Sequence, residues 1–136
     1  MVNSLEVITK ANEIIVADDD EGDVCLLNEA LEEMGYTVHY TPKGKEVFPL
    51  LKKTQAGAVI TDYDMSDING EELAYELKKT YMLGKTEDGL IVILRTGRRF
   101  EEQKRIQLKR DGIIYVSKME PDEIVINLLK NYRHAT

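Results

Sequence analysis

The stretch AVITDYDMSDING, residues 58–70, decides how this chain is to be read. It opens on Ala58, Val59, Ile60 and Thr61, with no alternation of polar and apolar positions. A short run of that kind fits a strand covered on both faces. Three acids follow within six residues, Asp62, Asp64 and Asp67, and the stretch closes on Asn69-Gly70, a turn signal. The question it raises is what other chemistry is brought beside those acids.

Working outward, comparable apolar runs lie at 14–17, 90–94 and 113–116. A weaker, more polar run at 37–41 fits an edge strand. Helical patterns fill the intervals. Val24, Leu27, Leu31 and Met34 recur at steps of three and four, and Gly35 follows as a stop. Helices are expected over 45–53, with Pro49 near the start, and over 71–81, with Leu73, Leu77 and Tyr81 on one face. Two more are expected over 99–109 and 122–132, the latter just after Pro121. Strand and helix thus alternate five times, the signature of an α/β fold with a parallel sheet and helices on both faces.

The totals agree with a single domain. The chain has 136 residues, 43% hydrophobic and 32% charged, enough to bury a core without staples. No stretch reaches the length of a membrane span, and the N-terminus does not read as a signal peptide. Cys25 is the lone cysteine, so a cytoplasmic location is the simplest expectation. A net charge of −7 argues against direct binding to nucleic acid or an anionic membrane. The two histidines, His39 and His134, belong to no Cys/His cluster, which argues against zinc. The least ordered parts are expected at 1–11, at 84–89 and after Tyr132, so that 13–132 forms the domain, 1–12 an N-terminal extension and 133–136 a tail.

In sheets of this class the ligand site lies beyond the carboxyl ends of the strands. There the runs end in Asp18-Asp19-Asp20, Asp62, Arg95-Thr96 and Ser117-Lys118. Each alone has an ordinary structural explanation: acids at a helix N-terminus, a turn aspartate, a turn threonine, a solvated lysine. Together they form a coherent chemistry. Crowded carboxylates stay ionised only when a cation joins them, and Asp19 and Asp62 with a backbone carbonyl offer the hard oxygens that Mg²⁺ prefers. Asp62 can then act as a nucleophile toward a phosphoryl group, with Lys118 neutralising its oxygens and Thr96 hydrogen-bonding it once attached.

The D-x-D-x-S pattern at 62–66 resembles two families, the haloacid dehalogenase-type aspartate phosphatases and the response-regulator receivers. The first needs its nucleophile loop after the first strand, with the lysine and acid pair downstream. Here the acid pair precedes the loop. The segments IIVADDDEGD (14–23), AVITDYDMSDING (58–70), ILRTG (93–97) and YVSK (115–118) resemble the four receiver signatures, in order, over nearly the whole chain.

That resemblance implies a flavodoxin-like doubly wound (βα)₅ sheet with strand order 2-1-3-4-5. It makes Asp62 the phosphoacceptor and Asp18 and Asp19 the acid pair, with Thr96 and Lys118 assisting catalysis and Tyr115 joining Thr96 in the switch. Mg²⁺, or Mn²⁺, would be held by Asp18, Asp19 and Asp62, and by the backbone carbonyl of Asp64. Asp64 and Arg98, two places beyond the acceptor and the hydroxyl, are expected to pair across the site and lengthen the life of the phosphate. The implied partner is a histidine kinase or histidine phosphotransfer protein. Such a receiver catalyses only its own phosphorylation and dephosphorylation, signals through its helix 4/strand 5/helix 5 face, and is a monomer or a phosphorylation-dependent dimer. An interaction module that is never phosphorylated is the alternative. A basic strip, Arg98, Arg99, Lys104, Arg105, Lys109 and Arg110, is a candidate surface for an acidic partner. No output domain is expected within these residues.

Four positions depart from the receiver pattern. Ser66 stands where proline is usual, Asn69 where aspartate is usual, and Arg95 where an apolar residue is usual. Shifting the match by one residue would put Arg95 in the hydroxyl position, but Thr96 suits the spacing to Lys118. Met119 follows Lys118 where a cis-proline is usual. A cis bond before a non-proline residue costs about 2.5–4 kcal/mol, so that peptide is either strained or trans in a reshaped loop.

Overall fold

The structure is a computed structural model that describes residues 12–82 and 89–134. Five parallel strands, β1 (Glu13–Ala17), β2 (Thr37–Thr41), β3 (Ala58–Thr61), β4 (Ile91–Thr96) and β5 (Ile113–Ser117), form one sheet in the order β2-β1-β3-β4-β5. Five helices alternate with them: α1 (Glu21–Glu33), α2 (Val47–Lys53, after a 3₁₀ turn at Gly44–Glu46), α3 (Gly70–Met82), α4 (Glu102–Arg110) and α5 (Asp122–His134). This is the flavodoxin-like doubly wound architecture. The segments expected to be loose fall mainly outside the described residues, although α5 continues two residues past Tyr132. Among the described residues, no helix is long and apolar enough to cross a membrane.

The strands lack polar alternation because helices cover both faces. Ile15, Ala17, Val59, Val92 and Leu94 pack with Leu73, Leu77 and Leu108 beneath α2, α3 and α4. Ile14, Val16, Ile60, Ile93 and Val116 pack with Val24, Leu27, Leu31, Val125 and Leu129 beneath α1 and α5. Each large side chain so buried contributes about 1.5–3 kcal/mol. The edge strand β2 is less buried, which explains its polar composition.

Local signals set the turns. Asp20 caps α1, its side chain accepting from the Asp23 N–H at 3.3 Å, and Gly35, at φ 97°, ends that helix where a side chain would be strained. Asn69 caps α3 by accepting from Glu72 N at 2.8 Å, so the asparagine supplies the cap an aspartate would supply. Gly70 answers a close approach: a Cβ there would lie 1.9 Å from the Asp62 carbonyl oxygen.

Candidate functional site

The carboxyl ends of β1, β3 and β5 gather the acids and the lysine. Asp18 follows β1 directly and is 2% exposed; Asp62 follows β3 and is 7% exposed. Both continue the sheet's ladder, Asp18 N donating to Thr41 O at 3.1 Å and Asp62 N to Ala17 O at 2.9 Å. Their carboxylates are therefore aimed by strand backbone rather than by mobile loop. Asp18 Oδ1 accepts from Asp20 N at 2.9 Å, and the Tyr40 hydroxyl donates to the Asp18 carbonyl at 2.7 Å. Tyr63 N donates to Asp62 Oδ1 at 2.8 Å and so fixes that carboxyl's rotamer.

Lys118, just past β5, reaches into this cluster. Its Nζ lies 2.9 Å from Asp18 Oδ2, 3.1 Å from Asp23 Oδ2 and 3.4 Å from Asp62 Oδ2. Burial alone would depress the ammonium's pKa, but Asp18, Asp23 and Asp62 together raise it. Asp62 is also pushed up, by burial first and by the like charge of Asp18 second. Lys118 opposes that rise incompletely, because its closer contact is with Asp18.

One oxygen each from Asp18, Asp19 and Asp62 lies within 4.8 Å of the others. Hard oxygens at that spacing, with negative charge in excess over one ammonium, fit a Mg²⁺ site. Asp18 and Asp62 are buried while Asp19 is exposed, so the cluster opens to solvent on one side.

A second constellation stands at the end of β4. Thr96 is fully buried, and its Oγ1 accepts from Arg98 N at 3.1 Å. That bond leaves the hydroxyl proton for another acceptor. The Arg98 side chain then reaches the loop after β3, where Asp64 stands two residues past Asp62. Its Nε donates to both Asp64 oxygens at 3.1 Å, and its Nη2 to Asp64 Oδ1 at 2.9 Å. The bond from Arg98 holds the Asp64 carboxyl below its usual range against a small burial effect. The same guanidinium lies 4.4 Å from the Tyr63 ring centroid. Phe100 packs between Tyr63, at 5.8 Å, and Tyr115, at 5.2 Å, and the Tyr115 hydroxyl donates to Arg98 O at 3.0 Å. Thr96, Arg98 and Tyr115 are thus tied together through one backbone segment.

Arg95 points to the opposite face from Thr96, as strand alternation requires, and pairs with Asp122 of α5 at 3.5 Å. All peptides among the described residues are trans, so the bond between Lys118 and Met119 takes the second of its two expected forms. The structure brings Asp18, Asp19, Asp62 and Lys118 into one cluster and joins Asp64 to Arg98. Two partners escaped the reading of the sequence: Asp23, a third carboxylate on Lys118, and Tyr40. Asp23 lies inside the ADDDEGD segment, but its use depends on how α1 sits beside β5.

The response regulator receiver domain family matches residues 14–130. The chain belongs to the response regulator receiver family. A DNA-binding transcriptional regulator NtrC from Bradyrhizobium sp. (strain RP501 Parasponia) is 36% identical over 69 residues, which are 51% of this receiver and 14% of that protein. The receiver therefore spans only a small part of that relative. A CheY-like receiver domain from Methanospirillum hungatei JF-1 superposes with TM-score 0.74 at 21% identity, covering 91% of this chain and 94% of that one. The response regulator TrrA from Thermotoga maritima, solved in complex with Mg(2+)-BeF, gives TM-score 0.71 at 28% identity over 89% and 98% of the two chains. The family shown is that of the receivers and not that of the phosphatase alternative. Asp64, its second acid, is bound to Arg98 beside the cluster.

Proposed function

We propose that this receiver accepts a phosphoryl group on Asp62 from a phosphohistidine of a kinase or phosphotransfer protein, and returns it to water. The observation that carries the reading is the convergence on buried Asp62 of two carboxylates and the Lys118 ammonium. Asp62 Oδ1 is fixed by Tyr63 N–H, so its other oxygen, facing Lys118, is presented to the donor. Asp62 must be ionised to attack, and its raised pKa calls for added positive charge. Asp18, Asp19, Asp62 and the Asp64 carbonyl would hold Mg²⁺ or Mn²⁺, which when bound would supply that charge and polarise the phosphoryl group. Lys118 stands ready to neutralise a phosphoryl oxygen. Thr96 donates its free hydroxyl proton to the attached group, a contact made only in the phosphorylated state. The segment shared by Thr96, Arg98 and Tyr115 carries that change toward β5 and α4.

The Asp64–Arg98 pair spans the approach to Asp62 and slows attack by water on the phosphoryl group. Arg98→Ala is expected to speed dephosphorylation, and an unchanged rate would remove the pair from the mechanism. A protein donor finds apolar contacts at the rim. Leu26, 72% exposed, lies one turn from Asp23, while Met119, next to Lys118 in the chain, and Ile124, in the first turn of α5, are exposed.

Intact mass after incubation with Mg²⁺ and acetyl phosphate tests the reading. The chain should gain one phosphoryl group and Asp62→Asn none. No gain, or an equal gain in the variant, would overturn it.

A further inference from the structure

We infer that Arg95 is a positioning residue for Lys118: two adjacent residues of β4 bracket the loop that carries the lysine. Thr96 O accepts from Lys118 N at 3.0 Å and holds the loop's start. The Arg95 guanidinium holds Asp122, the first residue of α5, at 3.5 Å and so holds the loop's end. Between these points the loop's backbone makes only local hydrogen bonds among the described residues, Met119 N donating to Ser117 Oγ at 3.0 Å and Glu120 N to Ser117 O at 3.0 Å, and only the Lys118 side chain reaches out of it. The Met119 side chain is 89% exposed and anchors nothing. The trans loop is therefore tied down from β4 rather than by its own packing.

Arg95 is an expensive choice for this task. It is 7% exposed, and its Nη1 is buried with no hydrogen-bond partner among the described residues. A buried charge with one long ion-pair contact adds little stability, and an apolar side chain of similar volume can fill its slot at little cost because the Asp122 carboxylate left behind is 28% exposed and can be solvated. Its use lies in the tie. Lys118 Nζ must reach Asp18, Asp23 and Asp62 together, and a drift of its backbone would release the contact with Asp62, the longest of the three.

The inference rests on the phosphoacceptor reading for its effect on rate, but not for its effect on the loop, and the test separates the two. In the full chain, Arg95→Met should leave thermal stability near that of the parent. Amide hydrogen exchange at Lys118 and Glu120 should speed up, while Val16 and Ile60 stay protected. Phosphorylation by acetyl phosphate with Mg²⁺ should slow by about 10- to 100-fold, the scale of a misplaced catalytic group. In a Lys118→Ala background the same substitution should add nothing, because Arg95 acts through that lysine. Asp122→Asn, which severs the tie from its more exposed side, should reproduce the loop's loss of protection. Unchanged exchange at Lys118 and Glu120 in both variants would overturn the inference. So would equal slowing with and without Lys118. If the parent chain takes up no phosphoryl group, the phosphoacceptor reading fails and exchange alone decides the role of Arg95.

Discussion

Gly70→Ala probes the joint between the fold and the site. A Cβ at position 70 would lie 1.9 Å from Asp62 O, 2.7 Å from Asp62 C and 2.9 Å from Leu94 Cδ1. Leu94 can yield, but the Asp62 backbone is the end of β3 and must move by about 1 Å for the methyl to fit, an overpacking that costs about 3 kcal/mol. The Gly70 N–H bond to Tyr63 O, 2.8 Å long, is strained by the same shift, adding about 1 kcal/mol. Alanine's better helix propensity returns up to about 1 kcal/mol at the first position of α3. The net loss is about 3 kcal/mol, a substantial part of the 5–15 kcal/mol roughly typical of a domain. For a chain of this size that lowers Tm by about 10 °C. Gly97→Ala is the control, since a Cβ there meets nothing within 4 Å, and its effect should stay within about 0.5 kcal/mol. Urea unfolding of the two variants checks this through the midpoint at constant slope. Equal stability of Gly70→Ala and the parent, or equal losses at both glycines, would refute the steric argument.

Three further outcomes follow from single contacts. Asp67 accepts from Gly44 N at 3.1 Å and Lys45 N at 2.9 Å, tying the loop after β3 to the turn before α2. Asp67→Ala should cost about 1–3 kcal/mol in urea unfolding, and a loss near zero would show that water replaces the carboxylate. Tyr75 donates to Asp111 Oδ2 at 2.6 Å, and burial followed by that carboxylate push its phenol from 10.0 to about 12. The folded state then resists ionisation where the unfolded state does not, so stability is intact below pH 10.0 and declines as pH rises toward about 12. Tyr75→Phe should flatten that alkaline decline in a pH series of unfolding curves, and an unchanged slope would mean the phenol titrates normally. The Asp62 carboxyl lies above its ordinary range, through burial and then Asp18. Its ionisation therefore weakens the metal-free fold, a penalty absent below the unfolded pKa and present at neutral pH. Asp62→Asn in chelator should be the more stable protein at pH 7, with the gap closing in acid; a less stable variant would show that Lys118 already compensates Asp62.

The sequence read well where one physical rule acted alone. Runs such as 58–61 are apolar because both faces are covered, and their pattern needs no partner to interpret. The legible part of the site is likewise the part placed by strand ends: Asp18, Asp62 and Lys118 project from ladder positions. Elsewhere two effects competed. The fourth apolar run, 90–94, ends in the polar pair Arg95-Thr96, yet the strand does not end with the run. It continues through Thr96 because Asp122 partners the arginine and the Arg98 amide partners the threonine. The following helix was expected from Arg99 but starts at Glu102, because Phe100 is drawn in between Tyr63 and Tyr115. Arg98 and Arg99 thus precede the helix, and Lys104 is engaged by Glu71 at 2.8 Å, which leaves the basic strip less continuous than its letters suggest. Apart from the Arg98 amide, two residues from Thr96, these partners are distant in sequence, and no local pattern reports them.

The charge balance explains why these parts must be assembled together. Three carboxylates, Asp18, Asp23 and Asp62, contact the one ammonium and Asp19 stands beside Asp18 and Asp62, while burial first and the Asp18 charge second raise the pKa of Asp62. A further cation relieves this surplus of negative charge, while a phosphoryl group arriving without one would deepen it. Lys118 lies closer to Asp18, at 2.9 Å, than to Asp62, at 3.4 Å. On the proposed function, Asp18 and Asp19 would hold a divalent ion, which would supply positive charge beside them and leave the ammonium available to Asp62. The loop carrying Lys118 must then hold its backbone still while the side chain changes partners. A tie at each end of that loop, through Thr96 and Arg95, meets this requirement without a proline after the lysine.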